Sequence, residues 1–289
     1  MNYNRRAFLK LGGGFAAAMA LAPMACNSAA KAMGKSPAGT FGLQLYTLRD
    51  DLPKDPKGVL KQVASFGYKQ IEGYEGQQGM FWGMGNTGFK EYMDELGMSF
   101  ISSHCDINKD FEKKAAEGAA IGMRYLISPY VGPQKTADDY KRIADEFNKR
   151  GAICKQNGMR FAYHNHDYTF KTADGKFPQD ILMENTDKDS VDFEMDIYWV
   201  VAAGQDPETW LKKYKDRFRL CHVKDRTKGA TEAADSCTLG EGSIDYGKIL
   251  TVAKASGMQY YIVEQEKYTG TTPLKAVEDD ATYMKKLEF

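Results

Sequence analysis

Two of the four histidines in this 289-residue chain, and two of its acids, close short apolar runs of β character: His164 in YHNHDY, Asp196 in FEMDIYW, His222 in CHVKD and Glu264 in YIVEQE. The intervals between them are 32, 26 and 42 residues, each long enough for one strand and one helix. If successive parallel strands carry these side chains at their C-terminal tips, two imidazoles and two carboxylates converge on one ion. That ligand set suits manganese, cobalt, zinc or iron better than calcium, and magnesium less well.

The elements needed to hold such tips are legible from Thr40 onward. Strand-like runs fall at 41–45, 70–72, 98–104, 125–128, 160–164, 191–196, 220–223 and 259–264. Helical patterns separate them at 56–66, 88–96, 111–121, 137–157, 177–185, 207–214 and 246–256, and a last one follows at 273–287. Gly67, Gly97, Gly122, Gly158 and Gly257 stand where helices must stop before the next strand. Eight strand and helix pairs predict an α/β fold, a (β/α)8 TIM barrel, over residues 40–289. An open doubly wound sheet is disfavoured, because no Gly-x-Gly-x-x-Gly follows the first strand.

Alternation within the strands assigns faces. Val191, Phe193 and Met195 should face the helices, and Asp192, Glu194 and Asp196 the barrel interior. The same rule turns Arg160, Ala162, His164 and His166 inward, as well as His222, Lys224, Glu264 and Glu266. Buried charge must be paired, so Arg160 is expected to meet Glu194 or Asp192 low in the barrel.

Residues 1–32 read as a leader. Asn4-Arg5-Arg6-Ala7-Phe8-Leu9-Lys10 matches the twin-arginine export pattern, followed by a Gly/Ala-rich segment too short and weakly apolar for a membrane span. Cys26 is a candidate lipid-anchor site, and Ala30-Lys31-Ala32 suits ordinary cleavage. The expected location is therefore the periplasm, free or lipid-anchored. Lys+Arg and Asp+Glu are both 39; cleavage after Ala32 would remove four cations and no acid, leaving 35 against 39. No basic excess exists for nucleic acid. Cys105, Cys154, Cys221 and Cys237 form no CxxC pair and read as free thiols, with a Cys221–Cys237 bridge left open.

The succession GLQLYTLRD, IEGYEG, YHNHDYTF, FEMDIYW, CHVKD, LGEGSIDY and VEQE resembles the xylose isomerase-like TIM barrel family, often labelled sugar phosphate isomerase/epimerase. The resemblance covers the chain from about residue 40 to its end. It implies a divalent ion, manganese first, held by Asp196, His222 and Glu264, with His164 where a glutamate is usual. It also implies proton abstraction beside a sugar carbonyl through an enediolate; Glu264 is the candidate base here, with His166, Lys224 or Glu72 as the second acid/base group. Glu72, His104 and Trp199 are candidate substrate contacts, and Trp82, in the Gly-rich segment 76–88, a candidate flap over a sugar ring. Isomerase or epimerase action on a small carbohydrate is the first expectation. Lyase or hydratase action on 3-keto-glycosides is the alternative, and a non-catalytic carbohydrate-binding barrel is the third reading.

Overall fold

The computed structural model describes residues 39–172 and 175–289. Eight parallel strands close on themselves: β1 (Gly42–Gln44), β2 (Gln70–Tyr74), β3 (Ser99–His104), β4 (Tyr125–Ser128), β5 (Arg160–His164), β6 (Val191–Asp196), β7 (Phe218–Val223) and β10 (Tyr260–Val263). Each pairs with its neighbours in sequence order, and β1 closes the barrel against β10. The intervening helices are α1 (Pro56–Phe66), α2 (Gly85–Glu95), α3 (Phe111–Ala120), α4 (Ala137–Gln156), α5 (Pro178–Glu184), α6 (Ile197–Ala202), α7 (Pro207–Lys213) and α8 (Tyr246–Ala255), with α9 (Pro273–Lys286) last. This is the expected (β/α)8 TIM barrel.

Local chemistry sets the element ends. Asp55 caps α1 by accepting the Gly58 N–H at 2.9 Å, with Pro56 pre-shaped for the first turn. Thr136 and Asp139 form a reciprocal capping box at the start of α4. Gly67 closes α1 at φ 103°, a left-handed conformation costly for any residue with a Cβ.

Alternation along the strands builds two apolar layers. Leu43, Ile71, Phe161, Phe193, Val223 and Val263 face the helices in the main core. Ile101, Tyr125, Ile127, Ala162, Leu220 and Ile262 fill the lower barrel interior as a separate cluster. Arg160 closes the bottom: its Nη2 donates to Asp192 Oδ1 at 2.8 Å, its Nε also meets Asp192, and Tyr125 Oη donates to the same carboxylate at 3.0 Å. Of the two acids expected to receive Arg160, Asp192 does; Glu194 lies one turn of the pleat higher and serves the site above.

Several details depart from the sequence reading. A one-and-a-half-turn helix, α6, starts directly after β6, because Asp196 Oδ1 accepts the Trp199 N–H at 3.2 Å and so caps it. Beyond β7, a two-residue hairpin pairs β8 (Asp225–Arg226) with β9 (Ser236–Cys237). Cys221 and Cys237 are both free thiols, so no bridge joins them. Trp82 does not form a flap: it is 3% exposed and packs edge-on against Tyr74 at 5.0 Å, since its apolar ring gains more in the core than over an open mouth. No described helix is long and apolar enough to cross a membrane. The twin-arginine motif and Cys26 lie outside the described residues.

Candidate metal centre

The C-terminal tips of β5, β6 and β7, with the residue after β10, bring four donor atoms together. They are His164 Nε2, Asp196 Oδ2, His222 Nδ1 and Glu264 Oε2, all within 4.8 Å of one another and all buried. Parallel register does much of this, since Asp196 and His222 are direct partners across β6 and β7. Asn165 adds a clamp at the end of β5: its amide donates to the Asp196 carbonyl at 3.1 Å and accepts the Asp196 N–H at 3.2 Å.

The donor set fits a tetrahedral or more open divalent site. His164 Nε2 lies 3.4 Å from Asp196 Oδ2 and 3.2 Å from His222 Nδ1, which is 3.2 Å from Glu264 Oε2 and 3.7 Å from Asp196 Oδ2. A tetrahedron with bonds of about 2.1 Å has edges of about 3.4 Å. Tautomers agree with this. His222 Nε2 donates to Glu72 Oε1 at 2.7 Å, while Nδ1 faces the cluster, 3.2 Å from Glu264 Oε2. Against its burial, the surrounding acids hold this imidazole well above its ordinary range, so a cation would take the place of the Nδ1 proton. His164 Nδ1 faces the Pro129 carbonyl at 3.4 Å, and burial pushes this imidazole down to about 4, so its Nε2 offers a lone pair at neutral pH. Imidazole ligands anchored through their second nitrogen in this way are a general feature of protein metal sites.

Lys224 forms the side wall. Its buried Nζ lies 3.2 Å from Asp196 Oδ2 and 3.0 Å from Glu264 Oε2, and it also bonds Glu266. Burial opposes ionisation of all three groups. For Asp196 the Lys224 ammonium and the two histidines outweigh it and hold the carboxyl well below the usual range. Glu264 is held down likewise by Lys224 and His222, and Lys224 is held up by Asp196, Glu264 and Glu266.

Beneath this centre lies a second ring of partners whose mutual contacts the sequence did not reveal. Glu72, expected as a substrate contact, is instead buried beneath the centre, receiving Gln44 Nε2 at 2.7 Å, Ser102 Oγ at 2.6 Å and His222 Nε2. His104 Nε2 lies 2.8 Å from Glu194 Oε2 and 3.3 Å from Glu72 Oε1. Burial would lower His104, but the two glutamates raise it to about 9. Glu194 is pushed up to about 7 by burial and the Glu72 charge. Alternation already pointed Glu194 inward; its height relative to His104 was not deducible without the bulge between Phe193 and Glu194.

Above the centre opens a cavity of about 500 Å³, lined on its floor by His104, His164 and Glu264 and on one wall by His166 and Trp199. His166 stacks on Trp199 at 5.4 Å and 30°, and burial, reinforced by His164, lowers it to about 3, so it is neutral at pH 7. Lys224 Nζ sits 5.0 Å from the Trp199 ring centre, behind the wall. Of the expected site residues, His104, His164, His166, Trp199 and Glu264 reach the cavity. Asp196 and His222 form the buried base, Lys224 braces it from the side, and Glu72 and Trp82 stand off the cavity.

Fold and centre together define a (β/α)8 barrel with a cluster of two histidines and two carboxylates at its C-terminal mouth. The profile of the xylose isomerase-like TIM barrels matches residues 60–287, and the chain belongs to that family. An inosose dehydratase from Clostridium perfringens is 30% identical over 145 residues, 45% of this chain and 48% of that protein. The chain thus spans about half the length of the curated relatives it matches. A sugar phosphate isomerase/epimerase from Parabacteroides distasonis superposes with a TM-score of 0.73 at 28% identity, covering 88% of this chain and 96% of the other. The IOLI protein with a binding zinc atom superposes at 0.71 over 86% of this chain and 99% of the other, with 15% identity, and shows the shared fold.

Proposed function

We propose that the chain is a divalent-metal-dependent enzyme that removes a carbon-bound proton beside a carbonyl in a carbohydrate, as an isomerase or epimerase. The observation that supports this above others is the convergence of His164 Nε2, Asp196 Oδ2, His222 Nδ1 and Glu264 Oε2 beneath a sugar-sized cavity. A divalent ion bound by these four would polarise a substrate carbonyl and stabilise the charge of an enediolate. Manganese is the ion we propose first, with cobalt, zinc or iron as alternatives and magnesium less suited to two imidazoles. The zinc named for the IOLI structure is in keeping with that donor chemistry.

The chain's own residues then divide the work. Glu264 lines the cavity and is held ionised by Lys224 and His222, so it meets substrate without a proton. The same pinning makes it a weak base, so the acidity must come from the polarised carbonyl. Lys224 fixes the Glu264 carboxylate and balances the negative charge of the centre. His166, neutral and stacked on Trp199 in the cavity wall, would exchange a hydrogen bond with a substrate hydroxyl. A second reading is lyase or hydratase action on 3-keto-glycosides, whose elimination chemistry is in keeping with the inosose dehydratases that match part of the chain. There the same acidified carbon loses its proton and the neighbouring carbon–oxygen bond breaks.

Elemental analysis of the folded protein should find about one divalent ion per chain. In heavy water, deuterium entering a ketose without aglycone release supports isomerisation, and aglycone release from 3-keto-glucosides supports elimination. Glu264→Gln should lower kcat by at least about 100-fold while the far-UV spectrum is kept. Full activity in that variant would remove Glu264 as the base, whereas sugar binding with no proton exchange at all points instead to a carbohydrate-binding barrel. We also propose export by the twin-arginine route, free in the periplasm or anchored at Cys26; an intact N-terminus on protein from the cell envelope would sink this.

A further inference from the structure

Among the described residues, the large apolar side chains left exposed are Tyr46 and Tyr130, at 40% and 57%. Both line the cavity above the metal centre. Isolated exposed aromatics are ordinary, but two that converge on one cleft mark a contact surface. Neither ring hangs free. Tyr130 packs edge-on against His166 at 5.1 Å and Tyr168 at 5.4 Å, and Tyr168 Oη accepts the Val131 and Gly132 N–H groups of the loop that carries Tyr130. Tyr46 packs edge-on against Tyr74 at 5.3 Å, with the Arg49 guanidinium 4.8 Å from its ring centre. Tyr74 is buttressed from behind by the buried Trp82.

The same cavity also carries polar groups in its lining. Glu75, Asp106 and Lys109 line it, and Glu75 is fixed by Lys114 Nζ at 2.6 Å and the Asp106 N–H at 2.9 Å. Aromatic faces interleaved with fixed hydroxyl partners match a pyranose, whose C–H face is apolar and whose edges are hydroxyls, better than a bare arene. Size points the same way. One hexose ring occupies on the order of 200 Å³, six or seven waters' worth, and the cavity holds about 500 Å³.

We propose that the outer half of this cavity is a subsite for a second pyranose ring, so that the substrate is a two-ring glycoside. Its reacting ring lies over the metal centre and its second ring stands between Tyr46 and Tyr130. The inference rests on the proposed function in one respect, that the inner ring is a sugar held at that centre.

The test is calorimetric titration of the full-length, manganese-loaded protein with methyl β-glucopyranoside, with the β-linked glucose disaccharide and with phenyl β-glucopyranoside. The disaccharide should bind about tenfold tighter than the methyl glucoside. That advantage should fall below about threefold in Tyr130→Ala and in Tyr46→Ala, whose exposed rings contribute little to folding. The inference is overturned if no probe binds, if methyl glucoside and disaccharide bind within about twofold of each other, if the advantage survives both substitutions, or if the phenyl glucoside binds tightest. Binding needs no turnover, so the outcomes separate. Ring preference without proton exchange removes the proposed chemistry alone, and proton exchange without ring preference removes the subsite alone.

Discussion

Replacing Lys224 with methionine removes one ammonium from among three carboxylates and leaves a side chain of similar length. At 3.0 and 3.2 Å, the contacts to Glu264 and Asp196 are each about 5 kcal/mol in Coulomb energy at an effective dielectric of about 20. Desolvation of the buried groups offsets much of this, and breaking a buried pair costs about 3–5 kcal/mol net. Exposure does not dilute the figure, because Lys224, Asp196 and Glu264 are all buried. For a barrel of this size the loss corresponds to a fall in Tm of roughly 6–20 °C. Scanning calorimetry with chelator and with excess manganese gives two differences. With chelator, the variant should melt lower by that amount. With manganese, part of the loss should return, since an ion at the neighbouring donors supplies positive charge to the same two carboxylate oxygens, and the metal-induced rise should exceed that of the unsubstituted protein. A loss below about 1 kcal/mol with chelator, or a smaller metal-induced rise in the variant, would refute the charge balance described for this centre.

Two further substitutions probe what surrounds it. Glu72→Gln removes the carboxylate that takes the His222 Nε2 hydrogen, and metal affinity should drop about 10- to 100-fold in competition with a chromophoric chelator; unchanged affinity would mean that Glu72 does not set the His222 tautomer. Asp280, on α9, is buried, accepts the Leu239 N–H at 2.8 Å, and is pushed up to about 8 by burial. In the unfolded chain its carboxyl ionises near pH 4, so between that pH and about 8 unfolding releases a proton and the protein loses stability as pH rises. Asn keeps the acceptor for Leu239 and cannot ionise. Asp280→Asn should therefore shrink the stability difference between about pH 5 and pH 8 by roughly 1–3 kcal/mol in urea titrations, and parallel pH profiles for the two proteins would rule this out.

Much of the barrel can be read along the chain because strand and helix periods are local properties. The expected bounds 125–128, 160–164 and 191–196 coincide with β4, β5 and β6, and alternation is clean in β6, where Val, Phe and Met interleave with three acids. The short α6 is hidden because Asp196 reads first as a strand tip, although an aspartate just before an apolar run is also a helix cap. The inward direction of Asp196, His222, Lys224 and Glu264 follows from the period of two, and parallel closure then places them at one mouth.

Height along the barrel axis is another matter. Whether Glu194 meets Arg160 below or His104 beside it depends on strand stagger and on bulges at Ile71/Glu72 and Phe193/Glu194, which sum over the closed sheet and leave no mark in any one segment. For the same reason Glu72 sits under the centre, and Trp82 in the core behind Tyr74. Residue type and spacing thus settle which side chains face inward and what chemistry they carry. Which of them touch one another is settled by packing across the closed barrel, because such contacts join residues tens of positions apart whose separations no local period encodes.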